Sequence, residues 1–286
     1  MKTIAIINQK GGVGKTTTAA NLGAALAGMG QRVCLIDLDP QGHLSLYFGF
    51  DPDDDTLTSY DVLCDSVGFA ECTTQLRDNL WLIPSTIDLA AAESELAPRE
   101  NRERILADKM QADSEEFDFV IMDCPPALGM LTLNSLAASD DIIIPLQPHF
   151  LAMQGLAKLL ETIQLMQEHV NSKLRVMGIL LCMFEAQMKL TKDVVSEVEH
   201  FLLDSQDHDT PWSQARIFNT VIRRNIRLAE CPSYGQTIFE YDKRSNGALD
   251  YSKLAYEFLD IYFPPTPNPV PVPAPKPIQI IDPNEI

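Results

Sequence analysis

Asn8-Gln9-Lys10-Gly11-Gly12-Val13-Gly14-Lys15-Thr16-Thr17-Thr18 is the segment from which this chain is best read. Before it, residues 3–7 (TIAII) form a short apolar run of the kind found in buried parallel strands. After it, residues 19–29 are rich in Ala and Leu, predict a helix, and are closed by Gly28 and Gly30. Strand, glycine loop, Lys-Thr and helix together make a phosphate-binding arrangement. Glycines let backbone N–H groups approach phosphate oxygens, and the helix N-terminus adds partial positive charge. Lys15 is placed to reach β- and γ-phosphates, and the Thr16 hydroxyl to ligate Mg²⁺. The bland alternative is a glycine-rich turn that binds nothing.

The spacing departs from the common G-x-x-x-x-G-K-[ST] pattern, because Gln9 stands where the first glycine belongs. A second lysine, Lys10, precedes two glycines instead. Lys10-Gly11-Gly12-Val13-Gly14-Lys15-Thr16 resembles the deviant Walker A signature of the ParA/MinD ATPases. The resemblance implies an α/β P-loop NTPase fold, with a mostly parallel twisted sheet and helices on both faces. It also implies ATP and Mg²⁺ as cofactors, with Gly11, Gly12, Val13, Gly14, Lys15, Thr16 and Thr17 around the phosphates. In that family the extra lysine, here Lys10, reaches across a two-fold interface to the other subunit's nucleotide. A homodimer in the ATP state is therefore expected.

Two further motifs lie at the ends of apolar runs. Residues 32–36 lead into Asp37-Leu38-Asp39-Pro40-Gln41-Gly42, and residues 117–122 lead into Asp123-Cys124-Pro125-Pro126. Carboxylates just past the carboxyl ends of parallel strands sit where ligands bind in open α/β sheets. Asp123 reads as the acid that holds Mg²⁺. Both motifs again resemble the ParA family. There Asp39 matches the acid needed for hydrolysis, so with Lys10 and Lys15 it is the expected catalytic set. Asp37 is read as a Mg²⁺-side or loop-orienting group. Cys124 reads as a small buried residue.

Composition bounds the remaining readings. The 286 residues allow one α/β domain or two smaller ones, and 45% hydrophobic content is ample for a core. No uncharged apolar run approaches the ~18 residues of a membrane span. The chain enters its first strand within three residues, so neither a signal peptide nor a leading DNA-binding domain is expected. Cysteines 34, 64, 72, 124, 182 and 231 form no C-x-x-C pair, which suits a reducing cytoplasm. A net charge of −18 argues against a general polyanion binder, so any nucleic-acid site must be a local patch.

The rest of the chain alternates strand-like and helix-like segments, without an internal repeat. Strands are expected at 79–83, 142–146, 174–183 and 217–222. Helices are expected at 87–110, broken or kinked by Pro98, at 151–170, at 191–203 and at 245–263. The last should turn Leu249, Leu254, Phe258, Leu259 and Tyr262 inward. The acidic stretch 51–55 reads as a solvated loop.

Arg223-Arg224-Asn225-Ile226-Arg227-Leu228-Ala229-Glu230-Cys231-Pro232-Ser233-Tyr234-Gly235 resembles the family's late P-R-N-x-R-L-x-E-x-P-S-x-G segment. In relatives it frames the adenine, making Asn225 the base-pocket candidate, and its second arginine, here Arg227, belongs to a non-specific DNA surface. Arg216, Arg223 and Arg224 lie close by in sequence and could also clamp phosphates, or could pair with carboxylates. Two departures stand out. Gln187 occupies a position where relatives often carry a DNA-contacting arginine, with Lys189 nearby, and Arg223 replaces the usual proline. Residues 264–286 hold nine of the chain's nineteen prolines and predict a polyproline II tail, either a spacer or a support presenting residues 278–281 to a partner.

The resemblance covers residues 1–263 and implies a cytoplasmic ParA-like partitioning ATPase. Such a protein binds non-specific DNA in its ATP state, works with a ParB-like centromere-binding or adaptor protein, and positions plasmid or chromosome cargo. Alternatives are a positioning ATPase with a non-DNA cargo, a MinD-like membrane-associated regulator, and a metabolic or iron–sulfur enzyme on the same fold. The membrane reading lacks a basic amphipathic helix at the chain's end, and the iron–sulfur reading lacks paired cluster cysteines.

Overall fold

The apolar runs become the strands of one sheet in a computed structural model that describes residues 1–112, 117–149 and 151–264. The expected tail beyond residue 264, including 278–281, lies outside the described residues. In chain order the elements are β1 (Lys2–Ile6), α1 (Lys15–Gly28), β2 (Val33–Asp37), α2 (His43–Tyr47), α3 (Ser59–Cys64), β3 (Thr74–Arg77), β4 (Leu80–Ile83), α4 (Leu89–Leu96) and α5 (Ile105–Ala112). There follow β5 (Phe119–Asp123), α6 (Met130–Ala138), β6 (Asp141–Leu146), α7 (Ala152–His169), β7 (Arg175–Phe184), α8 (Lys189–Ser205), β8 (Arg216–Ile217), β9 (Ile222–Arg223), α9 (Ile226–Glu230), α10 (Ile238–Tyr241) and α11 (Asn246–Tyr262).

The sheet runs β3-β4-β2-β5-β1-β6-β7-β8, with β9 also on β7. Every pairing is parallel except β3 with β4. Parallel strands need cover on both faces, and every residue of β2, β5 and β6 is buried. Alternate residues serve opposite faces. Ile4, Ile6, Leu35 and Ile121 pack with Leu22 and Leu26 of α1 and with Leu254 and Phe258 of α11. Ala5, Ile7, Ile36 and Met122 join Leu131 of α6, Leu159 of α7 and Val198 of α8 on the other face. Close approach of α1 needs Gly23, where an added Cβ would lie 2.6 Å from Leu35 Cδ2.

Two expectations are corrected and one is met. The single strand at 217–222 is two short ones, because Asn219 N and Thr220 N donate to the Glu257 carboxylate at 2.7 and 2.8 Å and draw the chain off the sheet. The expected break of the 87–110 segment at Pro98 is present, with two helices flanking it. Leu249 is 48% exposed, while Ala248 and Tyr251 take the inward positions of α11.

At the sheet end remote from the glycine loop, buried Asp141 accepts hydrogen bonds from Arg175 and, at 2.6 Å, from Tyr262 Oη near the end of α11. Removing one bond to a buried carboxylate costs about 2 kcal/mol. Tyr262→Phe is accordingly expected to lower the urea unfolding free energy by about that amount, with little change in the slope of the transition.

Candidate active site

Parallel register sets the chemistry. Ile6 pairs with Asp123, and Asp37 pairs with Asp123 from the other side, so the two acids end neighbouring strands. The glycine loop leaves β1 beside them. Gly12 (φ 72°) and Gly14 (φ 97°) adopt backbone that side chains resist, which turns the loop into α1. Asn8 fixes its start: Nδ2 donates to Pro145 O at 2.7 Å and Oδ1 accepts from Lys10 N at 3.0 Å. Lys15, the first residue of α1, is buried, and its Nζ lies 3.5 Å from Lys10 O.

Asp37 and Asp123 differ in what surrounds them. Asp37 accepts from Ser45 N and Ser45 Oγ, both at 2.9 Å, and from Asp39 N at 3.2 Å. Burial still pushes its carboxyl up to about 6, against the pull of those bonds. Asp123 is equally buried, yet neither of its carboxylate oxygens finds a hydrogen-bond partner. Burial, and then the Asp37 charge, drive its carboxyl well above the usual range, while the Thr16 hydroxyl and Lys15 ammonium oppose them. Two bare oxygens beside a lysine and a threonine hydroxyl suit a hard cation completed by phosphate oxygens and water. That is how Mg²⁺ is usually held. Cys124 is buried, donates to Ser135 Oγ at 3.0 Å, and has its thiol pushed up to about 12 by burial. It is inert packing.

A cavity of about 1170 Å³ opens over this floor. Gly11, Gly12, Gly14, Lys15, Thr16 and Thr17 line it on the phosphate side, and Asp39 joins them. Arg223, Arg224 and Asn225 line the opposite wall with Leu228. Asn225 Oδ1 accepts from Arg227 N at 2.8 Å and so caps α9, forming this wall through the backbone turn. Val13 is buried beneath the loop. Exposed Lys10 stands outside the lining, with Nζ against His149 Nε2.

The arginines are not one cluster. Arg223 makes a bidentate pair with buried Asp250. Arg224 meets Glu185 at 3.1 Å, and Arg227 meets Glu230 at 2.9 Å. Arg216 is aligned with Gly178, while Arg223 is aligned with Phe184, six residues or roughly 20 Å further along β7. Ser45 and Tyr47 escape a reading of the sequence. The one available signal for Ser45 is a serine in the first turn after the Asp37–Gly42 motif.

Comparison with known proteins agrees with this geometry. A family model described as an AAA domain matches residues 1–176. The sporulation initiation inhibitor protein Soj of Bacillus subtilis (strain 168) is 45% identical over 259 residues, covering 90% of this chain and 97% of Soj. The chromosome partitioning protein ParA of Myxococcus xanthus (strain DK1622) is 41% identical over 268 residues, covering 93% of this chain and 90% of that protein. A Mycobacterium smegmatis protein described as cobyrinic acid a,c-diamide synthase was solved with an ATP analog and magnesium. It superposes with a TM-score of 0.77 at 34% identity, over 92% of this chain and 96% of its own.

Asp123→Asn tests the metal floor with opposite signs. Replacing the acid by a neutral amide removes its desolvation penalty and its repulsion with Asp37, so the nucleotide-free protein is expected to be more stable near neutral pH, a gain that disappears below about pH 4, where the unfolded chain's carboxyl is also protonated. Thermal unfolding with and without Mg²⁺ and ATP should show that gain, together with loss of the Mg²⁺-dependent stabilisation by ATP. With its glycine loop, buried acids and extended identity to Soj and ParA, the chain belongs to the ParA/Soj family of chromosome-partitioning P-loop ATPases, enzymes that act on ATP.

Proposed function

We propose that two copies of this chain, each holding ATP and Mg²⁺, close face to face, with Lys10 of each copy completing the other's pocket. The observation that carries this reading is the contrast between the two loop lysines. Lys15 is buried in its own cavity, whereas Lys10 is exposed and outside that cavity's lining. An ammonium placed at the rim has its charge free for a nucleotide on a neighbouring subunit.

In this reading Lys15 and the loop N–H groups hold the β- and γ-phosphates, and Asp123 and Thr16 hold Mg²⁺. The metal supplies positive charge against the phosphate oxygens. Asp39 orients the attacking water. Its Oδ1 is tethered by Gln41 N at 3.0 Å, and its own N–H is held by Asp37. Asp37 therefore acts through the loop. Positioning and charge stabilisation account for the catalysis, as in other phosphoryl transfers to water. Asn225 and its turn frame the base.

The closed dimer binds non-specific DNA through Arg227 and Arg224, with the more distant Arg216 as a secondary contact, while Arg223 stays on buried Asp250. A ParB-like centromere-binding or adaptor protein stimulates hydrolysis, and the cycle segregates or positions its cargo in the cytoplasm, on the nucleoid. Among the described residues no helix is long and apolar enough to cross a membrane. Residues 1–263 form the ATPase domain in this reading, and 264–286 a tail appended to it. A second reading keeps the dimer and replaces DNA with a protein cargo. It is favoured by the carboxylate partners of Arg223, Arg224 and Arg227.

Two variants separate these steps. Lys10→Ala should retain ATP binding by the monomer and lose the ATP-dependent dimer, as followed by light scattering. A dimer of unchanged affinity would remove Lys10 from the interface. Arg227→Ala should weaken DNA retention several-fold across all sequences, with ATP binding intact. It should also lower the slope of log affinity against log salt by about one for each phosphate that is no longer neutralised. Titration of DNA with no nucleotide, ADP or ATP at two salt concentrations distinguishes the DNA reading from the protein-cargo reading.

A further inference from the structure

One buried hydrogen-bond chain outside the phosphate loop crosses the base of the cavity. Asn21, two turns into α1, donates from Nδ2 to Thr17 O at 2.8 Å and to Tyr47 Oη at 2.7 Å. Its Oδ1 accepts from Ile238 N, the first residue of α10, at 2.9 Å. Tyr47 Oη lies 3.1 Å from Cys231 Sγ, and Cys231 Sγ lies 3.7 Å from Leu228 O. Asn21, Tyr47 and Cys231 are all buried.

The proton positions in this chain follow from donor counting. The amide nitrogen of Asn21 only donates, so both its hydrogens are used by Thr17 O and Tyr47 Oη. The Tyr47 hydroxyl therefore accepts from Asn21 and has its own hydrogen free for Cys231 Sγ. The Cys231 thiol hydrogen then points to Leu228 O. Burial pushes both the Tyr47 phenol and the Cys231 thiol up, so each keeps its proton. The order is Asn21 to Tyr47 to Cys231 to Leu228, with no donor facing a donor.

The ends of this chain reach two separate segments of the cavity lining: Thr17 belongs to the glycine-loop segment, Leu228 to the segment 222–233, and Tyr47 lines the same cavity. A second contact fastens the same elements: a Cβ on Gly235 would stand 2.9 Å from Gly49 Cα, so the chain leaving α2 and the end of the wall touch backbone to backbone.

We infer that Tyr47 is a positioning residue for nucleotide binding: its hydroxyl ties the phosphate-loop helix to the wall formed by residues 225–233, so that phosphates and base are gripped as one unit. The inference rests on the reading of this cavity as an ATP site. It assigns Tyr47 a selective effect, on ligands that span both walls. A diphosphate without a base touches only the phosphate side and is indifferent to the tie.

The test compares Mg²⁺-ADP with Mg²⁺-pyrophosphate by calorimetric titration of the full chain. ADP avoids the ATP-state dimer. Tyr47→Phe keeps the ring and removes the hydroxyl, and is expected to weaken ADP about tenfold, the scale of one lost buried hydrogen bond, while pyrophosphate stays within about twofold. Cys231→Ala should reproduce that selective loss, and Cys231→Ser, which restores an acceptor for Tyr47, should recover most of the ADP affinity. Equal loss of both ligands, or unchanged ADP affinity in Tyr47→Phe, would overturn the positioning role while leaving the nucleotide site standing. A wild-type chain that binds pyrophosphate but gains nothing from the nucleoside would overturn the assignment of the wall, and this inference with it.

Discussion

Asp37 and Asp123 are held out of water at the ends of adjacent strands, and the rest of the site is arranged around that pair of acids. Moving one ionised carboxylate into a protein interior costs several kcal/mol even after relaxation. A whole domain is stable by only about 5–15 kcal/mol. The arrangement survives because the two acids are treated differently. Asp37 is satisfied by three donors, Asp39 N in the loop that follows it and Ser45 N and Oγ in α2. Asp123 is left bare. The first bond set shapes the loop carrying Asp39. The burial of Asp123 is eased by a proton, or by a cation in the proposed reading, and in part already by the Thr16 hydroxyl and Lys15 ammonium.

A large core offsets the cost of that burial. The sheet is covered on both faces, with α1 and α11 on one and α3 to α8 on the other. This is why the strands are legible in sequence. Strands buried on both sides read as unbroken apolar runs, and β2 and β5 announce the site by ending in Asp. Elements that fail to show in the sequence lack such a signal for physical reasons. α6 carries Thr132, Asn134 and Ser135 on buried positions, each bonded to nearby backbone, so its polar residues suggest a loop. β3 is a half-exposed antiparallel edge with only four residues. Leu249 is apolar and faces solvent because the inward stripe of α11 begins at Ala248 and Tyr251.

The candidate site divides along the same line. Lys15, Thr16, Asp39 and Asp123 belong to local motifs, whose spacing is fixed by a strand and the turn after it. Contacts made by distant segments leave no such trace. Ser45 is recognisable as the partner of Asp37 only once α2 has folded back onto β2. Tyr47 and Cys231 are 184 residues apart and share no period. Residues set by a strand and its following turn are therefore readable from sequence, whereas residues brought together from distant segments are not.

Electrostatics decides what the arginine-bearing segment can do. Arg224 and Glu185 are 76% and 42% exposed, and such a pair contributes at most about 1 kcal/mol. Exchanging Glu185 for a phosphate oxygen leaves both carboxylate and arginine well solvated, and the same holds for Arg227 with Glu230. Arg223 is different. Its partner Asp250 is 5% exposed and also accepts from Arg223 N, so withdrawing the guanidinium would strand a buried carboxylate. Breaking such a pair costs about 3–5 kcal/mol, more than a single phosphate contact returns. Arg223 is thereby committed to the fold, and of the four arginines Arg224, Arg227 and the more distant, exposed Arg216 are left for a polyanion. The overall charge of −18 does not forbid their use, because at physiological salt the field of exposed acids fades over about 8 Å. It does limit their strength. So few cations per subunit make a weak surface, and in the proposed dimer two such surfaces would act together, which would tie polyanion affinity to the closure proposed for Lys10.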